Sequence, residues 1–183
     1  MKFTNAESLA MHIIRGYLIK GEIPEINDID VVEFLKNPAA CFVTVYFRGE
    51  LRGCIGNVDA NRPLYRSVIN NAVSAAGYDD RFEPLSKADL PDVTVEVTVL
   101  SPLTDYRPES EEKLLDYLKT KRPGLVIAKQ SHQAIFLPQV WEKIPDPEKF
   151  LSELCLKAGL PESAWKEGMD FRIFSQVQET DLM

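Results

Sequence analysis

The sequence predicts an α+β fold in which one order of elements occurs twice. Three observations carry that reading. Val93, Val95, Val97 and Val99 alternate with Thr94, Glu96 and Thr98, which is a two-residue strand period with one polar side. Two β-rich runs, at 41–57 and 124–140, are each broken by a short polar turn, as hairpins are. Between and after them lie capped stretches with apolar residues at helical spacing. Hairpin, helix and strand therefore follow one another at 41–100 and again at 124–177, within a chain read as a single domain over 1–183.

Each element has a local reason. Thr4 and Glu7 have capping-box spacing, and Leu9, Ile13 and Tyr17 share a helical face, so a helix is expected over 5–20 with Gly21 as its stop. His12 lies beside Leu9 and Ile13 and reads as a half-buried structural residue. A short helix is expected around 31–35. Cys41–Phe47 and Leu51–Asn57 form the first hairpin around Arg48-Gly49-Glu50. Pro63 stands where a first helical residue would, Leu64, Val68, Ala72 and Ala75 line one face, and Gly77 ends that helix. Ser110–Lys119 reads as a capped helix. Gly124–Lys129 and Gln133–Val140 form the second hairpin. Asp146 and Pro147 open a helix that stops at Gly159, and Asp170–Val177 reads as the last strand.

Composition narrows the function. A chain of 183 residues buries about two thirds of its unfolded surface without a disulfide or metal staple. Hydrophobic residues are 45% and charged residues 27%, a globular balance. With 21 basic and 28 acidic side chains the net charge is −7, which disfavours general nucleic-acid binding. The N-terminus lacks a signal-peptide pattern, and no apolar run approaches the roughly 20 residues of a membrane helix. Three cysteines without a CxxC read as reduced thiols of a cytoplasmic protein. Two histidines outside any ligand motif leave a metal site without support, and no cofactor is expected. No Ser-His-Asp set, Walker loop or dinucleotide fingerprint is present.

The expected centre of function is Leu51-Arg52-Gly53-Cys54-Ile55-Gly56. Gly53 and Gly56 inside a strand imply a bulge or a close approach. Arg52 and Cys54 share a face if the strand is regular, and a guanidinium beside a thiol favours the thiolate. Cys54 is thus a candidate nucleophile or redox group, against the reading of a small packed hydrophobe. Arg52 is a candidate for binding a carboxylate or phosphate. Arg81, in the loop Asp79-Asp80-Arg81-Phe82, pairs with Asp79 or reaches the site. Glu96 is a candidate acid or base on the polar side of its strand, and Gln139 offers an amide beyond Pro138.

Taken together, these segments resemble the AMMECR protein family over roughly residues 5–177. The resemblance rests on Glu50–Gly56, on Asp79-x-Arg81-Phe82-x-Pro84-Leu85, on Val95–Ser101, on Gly124-Leu125 with Phe136–Val140, and on Phe150-Leu151 through Lys157–Leu160. It implies two structural repeats sharing a barrel-like sheet, with a cleft between subdomains lined by Arg52–Gly56. It implies no established reaction, although nucleic-acid roles have been suggested for the family. Some members are fused to or associated with Memo-like and radical SAM proteins. Many carry a His before the glycine of the third motif, where this chain has Pro123. A mechanism pairing that His with Cys54 therefore lacks its partner here.

Two functions are expected from this. One is a cytoplasmic binding or adaptor module that works with a Memo-like or radical SAM partner through the cleft around Arg52–Gly56. The other is an enzyme in which Cys54 is the nucleophile or redox thiol, Arg52 binds a small anionic substrate and Glu96 or Gln139 orients it.

Overall fold

The computed structural model describes residues 2–178. It forms two compact units, one running to Pro102 and including Val177 and Gln178, the other Leu103–Gln176. Each has its own hydrophobic core.

The first unit opens with helix α1 (Ala6–Lys20). Its cap is Asn5, whose side chain accepts from the Ser8 amide, so the cap lies one residue beyond the Thr4 expected from the capping-box spacing. Gly21 ends the helix with a φ of 73°, the left-handed value that favours glycine. A single helical turn, α2 (Glu33–Lys36), precedes the hairpin of β1 (Ala40–Phe47) and β2 (Glu50–Gly56). Arg48 and Gly49 make its turn with φ of 53° and 81°. Helix α3 (Leu64–Gly77) follows, with Pro63 just outside it, and then strand β3 (Val93–Leu100). Helices α1 and α3 pack against each other and against the sheet, burying Leu9, Ile13, Val43, Val45, Val68, Ala72 and Val97.

The second unit adds a short strand the sequence did not signal, β4 (Thr104–Tyr106). Helix α4 (Glu111–Lys121) is capped by the Ser110 hydroxyl. A hairpin follows, β5 (Gly124–Lys129) with β6 (His132–Phe136). The second strand ends earlier than the expected Val140, because Pro138 cannot continue the ladder. The chain turns instead into α5 (Val140–Lys143), whose Trp141 is buried and donates to the Pro123 carbonyl at 2.8 Å. Helix α6 (Pro147–Lys157) and strand β7 (Asp170–Phe174) complete the core; β8 (Gln176–Val177), which follows, is a strand of the first sheet.

The strand orders are β2-β1-β3-β8 and β4-β7-β5-β6, with every registered pair antiparallel. In both, the first hairpin strand is central, the second is the edge, and the strand after the helix lies on the other side. The α+β class, the N-terminal helix and the repeated order hold. The barrel-like shared sheet does not: the described residues form two four-stranded sheets, and each leaves edges instead of closing.

Candidate functional site

The polar centre of the first unit is set by strand alternation. Cys41, Val43 and Val45 of β1 are buried in the core, so Phe42, Thr44 and Tyr46 lie on the opposite face. Thr44 is directly opposite Cys54 on one side and Glu96 on the other. Cys54, Thr44 and Glu96 therefore form a row across three strands. The Thr44 hydroxyl donates to the Cys54 sulfur at 3.3 Å, and the Tyr46 hydroxyl donates to Glu96 Oε2 at 3.1 Å. Glu96 lies two strand spacings, about 10 Å, from Cys54 along the sheet, too far for direct proton exchange between them.

The loop after α3 closes the outer edge of β2. Asp79 is buried, and its Oδ2 accepts the Cys54 amide at 2.9 Å. Arg81 donates through Nε and Nη2 to the two oxygens of Asp79, at 2.9 and 2.7 Å. The same Nη2 donates to the Cys54 carbonyl at 3.0 Å. One bidentate fork thus satisfies both backbone groups that an edge strand would leave open at Cys54. Of the two roles expected for Arg81, pairing with Asp79 is the one seen, and it is joined to the motif strand through the Cys54 carbonyl.

The two glycines of the motif make room for the protein itself. A β-carbon on Gly53 would collide with the Ala75 carbonyl of α3, and one on Gly56 with the Phe42 ring and the Cys41 carbonyl. The end of α3 therefore rests directly on β2. Arg52 sits at an irregularity: Val45 is opposite Gly53 but Tyr46 is opposite Leu51, so Arg52 is the extra residue of a bulge. The regular alternation that would put Arg52 on the face of Cys54 is interrupted between them. Arg52 is half-buried, and its charge adds to the Ser86 hydrogen bonds that hold the Asp89 carboxyl below its ordinary range. Gln139 belongs to the second unit, where it is exposed and donates to the Gln176 side chain at 3.3 Å.

The electrostatics follow from these contacts. The Arg81 hydrogen bonds hold the Asp79 carboxyl at about 2, against the opposing effect of burial, with the Cys54 amide assisting. The same bonds raise Arg81. Burial raises the Tyr46 phenol, and the neighbouring Glu96 charge adds to it. Cys41 and Cys155 are fully buried, and burial pushes the Cys41 thiol up to about 12 and Cys155 upward too. Cys54 alone among the three thiols is half-buried. Among the described residues, no three or more His, Cys, Asp or Glu side chains gather as a metal-ligand set. No helix among them is long and apolar enough to cross a membrane.

Of the residues expected to matter, the fold brings Cys54 and Arg81 into hydrogen-bond contact and sets Glu96 on the same face. Thr44 and Tyr46 were missed. Their signal was available: each alternates with a buried valine in β1, so a polar face had to exist beside Cys54.

Comparison with known proteins agrees with this architecture. The AMMECR1 family model matches residues 7–178. A protein of Methanococcoides burtonii is 36% identical over 178 residues, covering 93% of this chain and 86% of its own length. Protein MJ0810 of Methanocaldococcus jannaschii is 35% identical over 183 residues, covering 96% and 89%. The crystal structure of the uncharacterized protein PH0010 from Pyrococcus horikoshii superposes with a TM-score of 0.84 at 32% identity, covering 93% of this chain and 87% of that one. With a family model spanning nearly its full length and relatives above 30% identity along most of theirs, the chain belongs to the AMMECR1 family.

Proposed function

We propose that this chain is a cytoplasmic binding module, and that its recognition surface is the face of the first sheet bearing Thr44, Tyr46, Cys54 and Glu96, flanked by Arg52. The observation that carries the reading is the set of contacts made by Cys54. Its sulfur accepts from the Thr44 hydroxyl, a group with no useful basicity near neutral pH. Its amide and carbonyl are pinned by Asp79 and Arg81. That arrangement fixes a surface and sets no base against the thiol. Rigid surfaces bind with little ordering cost.

The partner class that fits the family resemblance is a Memo-like or radical SAM protein, and Arg52 is the group suited to an anionic feature of that partner or to a small anionic ligand. The test is co-purification of the chain with one Memo-like and one radical SAM protein from the same genome. Recovery is expected to fall at least about tenfold in Arg52→Glu and Glu96→Lys and to persist in Cys54→Ser. Gln139→Ala reports whether the second unit contributes. Unchanged recovery in both charge reversals sinks the reading.

A thiol enzyme is the second reading. It is favoured by the exposure of Cys54, which the other two thiols lack. Labelling of Cys54 by a maleimide well below pH 7, together with loss of function in Cys54→Ser, would establish it instead.

A further inference from the structure

We propose that the outward face of α1 forms a binding site for a small organic phosphate, separate from the sheet face described above. A groove of about 460 Å³ lies there, within the first unit, with α1 as one wall and the arm Lys2–Thr4 as the other. Its size falls in the range of small-molecule sites, roughly 300–1,000 Å³.

Two features of the fold build the groove. Helix α1 buries Ala6, Leu9, Ala10, Ile13 and Ile14. Ser8, Met11, His12 and Arg15, spaced three and four apart, therefore share the opposite face. The arm is held beside that face by Phe3. Its amide donates to the Asp30 carbonyl at 2.7 Å, and its carbonyl accepts the Val32 amide at 3.1 Å, in a parallel bridge with Val31. Its ring is buried and stands 5.0 Å from the His12 ring. Neighbours of a bridged residue point the other way, so Lys2 and Thr4 turn from the core and line the groove.

The groove is positive in a chain whose net charge is −7. Lys2 and Arg15 line it, and among the described residues neither forms an ion pair. No carboxylate lines it: Glu7, on the same helix, falls outside the lining. Beyond the arm, Asp30 accepts the Asn27 amide and Asp28 the Tyr65 hydroxyl. The Ser8 hydroxyl is spent on the Asn5 carbonyl. What remains is an ammonium, a guanidinium, the Thr4 hydroxyl and a ring N–H of His12, which either neutral tautomer supplies. All are donors. A phosphate monoester, with three acceptor oxygens and close to two negative charges, engages more of them than a carboxylate does. Met11 and Phe3 supply the apolar lining that an organic group covers.

The test is amide NMR of the full chain titrated with phenyl phosphate at constant ionic strength. Saturable shifts are expected at residues 2–4, 8, 11, 12 and 15, with a dissociation constant on the order of 0.1–1 mM. Benzoate, with a single charge, and inorganic phosphate, without the ring, should each bind at least about fivefold more weakly. Lys2→Gln and Arg15→Gln, both at exposed positions where the fold is retained, should each weaken phenyl phosphate about fivefold. Absence of a saturable shift at about 10 mM ligand would overturn the proposal. So would benzoate or inorganic phosphate binding as tightly as phenyl phosphate, or binding that survives both substitutions unchanged. Shifts confined to the sheet face around Arg52 would place the anion elsewhere and overturn it too.

Discussion

The two units solve the same problem with different chemistry. Each sheet has the second hairpin strand at its edge, and in each a side chain at or just beyond the end of a later helix closes that edge. In the first unit the closure is the Asp79–Arg81 fork, which holds both the amide and the carbonyl of Cys54. In the second it is Lys157 at the end of α6, whose Nζ donates to the Ile135 carbonyl at 2.9 Å and lies 5.1 Å from the centre of the Phe136 ring. A lysine blunts an edge against pairing with other strands. A bidentate ion pair anchored on a buried carboxylate does more: it fixes one residue. That residue is Cys54, in the row with Thr44 and Glu96, and the difference marks the first edge as the one built to hold a surface still.

The sharpest way to break the comparison is at the glycines. Gly53→Ala forces a methyl group into the Ala75 carbonyl, a backbone atom that cannot turn aside, and should cost about 3 kcal/mol in urea unfolding. Gly124→Ala in the second unit meets the Phe174 ring first, a side chain that can shift, and should cost about 1 kcal/mol. Equal losses would show that the end of α3 does not rest on β2 as described.

Removing the fork comes next. Asp79→Ala leaves the Cys54 amide without its acceptor and Arg81 without its carboxylate, for a loss of about 2–3 kcal/mol by the same assay. Acid should reproduce part of this in the unaltered protein. Asp79 is held at about 2 in the folded chain against an ordinary 3.8, so its stabilisation is fully present above the unfolded value. It is lost as pH falls from about 4 towards 2, and amounts to roughly 2 kcal/mol. The difference in stability between the unaltered chain and Asp79→Asn should shrink over that window and be flat above it. The smallest effect belongs to the other edge: Lys157→Met should cost under about 1 kcal/mol, because its contact is an exposed one. A loss there matching Asp79→Ala would erase the distinction between the two edges.

Much of this fold is legible in the residues. The valine alternation of β3, the Ser110 and Asp146 caps, and the Gly21 and Gly159 stops are local signals, and the elements form where they point. What the sequence does not display is contact over distance. Asp79 and Arg81 read as a neighbouring pair, but their meeting with Cys54, 25 residues away, depends on α3 lying across β2. A bulge is one of the two outcomes that Gly53 and Gly56 imply, but its place at Arg52 has no residue signal. β4 is three residues long and leaves no period to detect. Residues 137–140 read as strand from Leu137 and Val140, yet Pro138 and the burial of Trp141 turn the chain into α5. At the site, Cys54 and Glu96 could be picked by chemistry, whereas Thr44 joins them only once the register is known.

Hydrogen exchange at the single amide of Cys54 tests most directly whether the fork holds the recognition face rigid. In the unaltered chain that amide should exchange slowly although it faces the outside of an edge strand, and Asp79→Ala should speed it by at least about tenfold while amides in β1 stay protected. Rapid exchange at Cys54 in the unaltered chain, or the same slow rate in Asp79→Ala, would contradict the account.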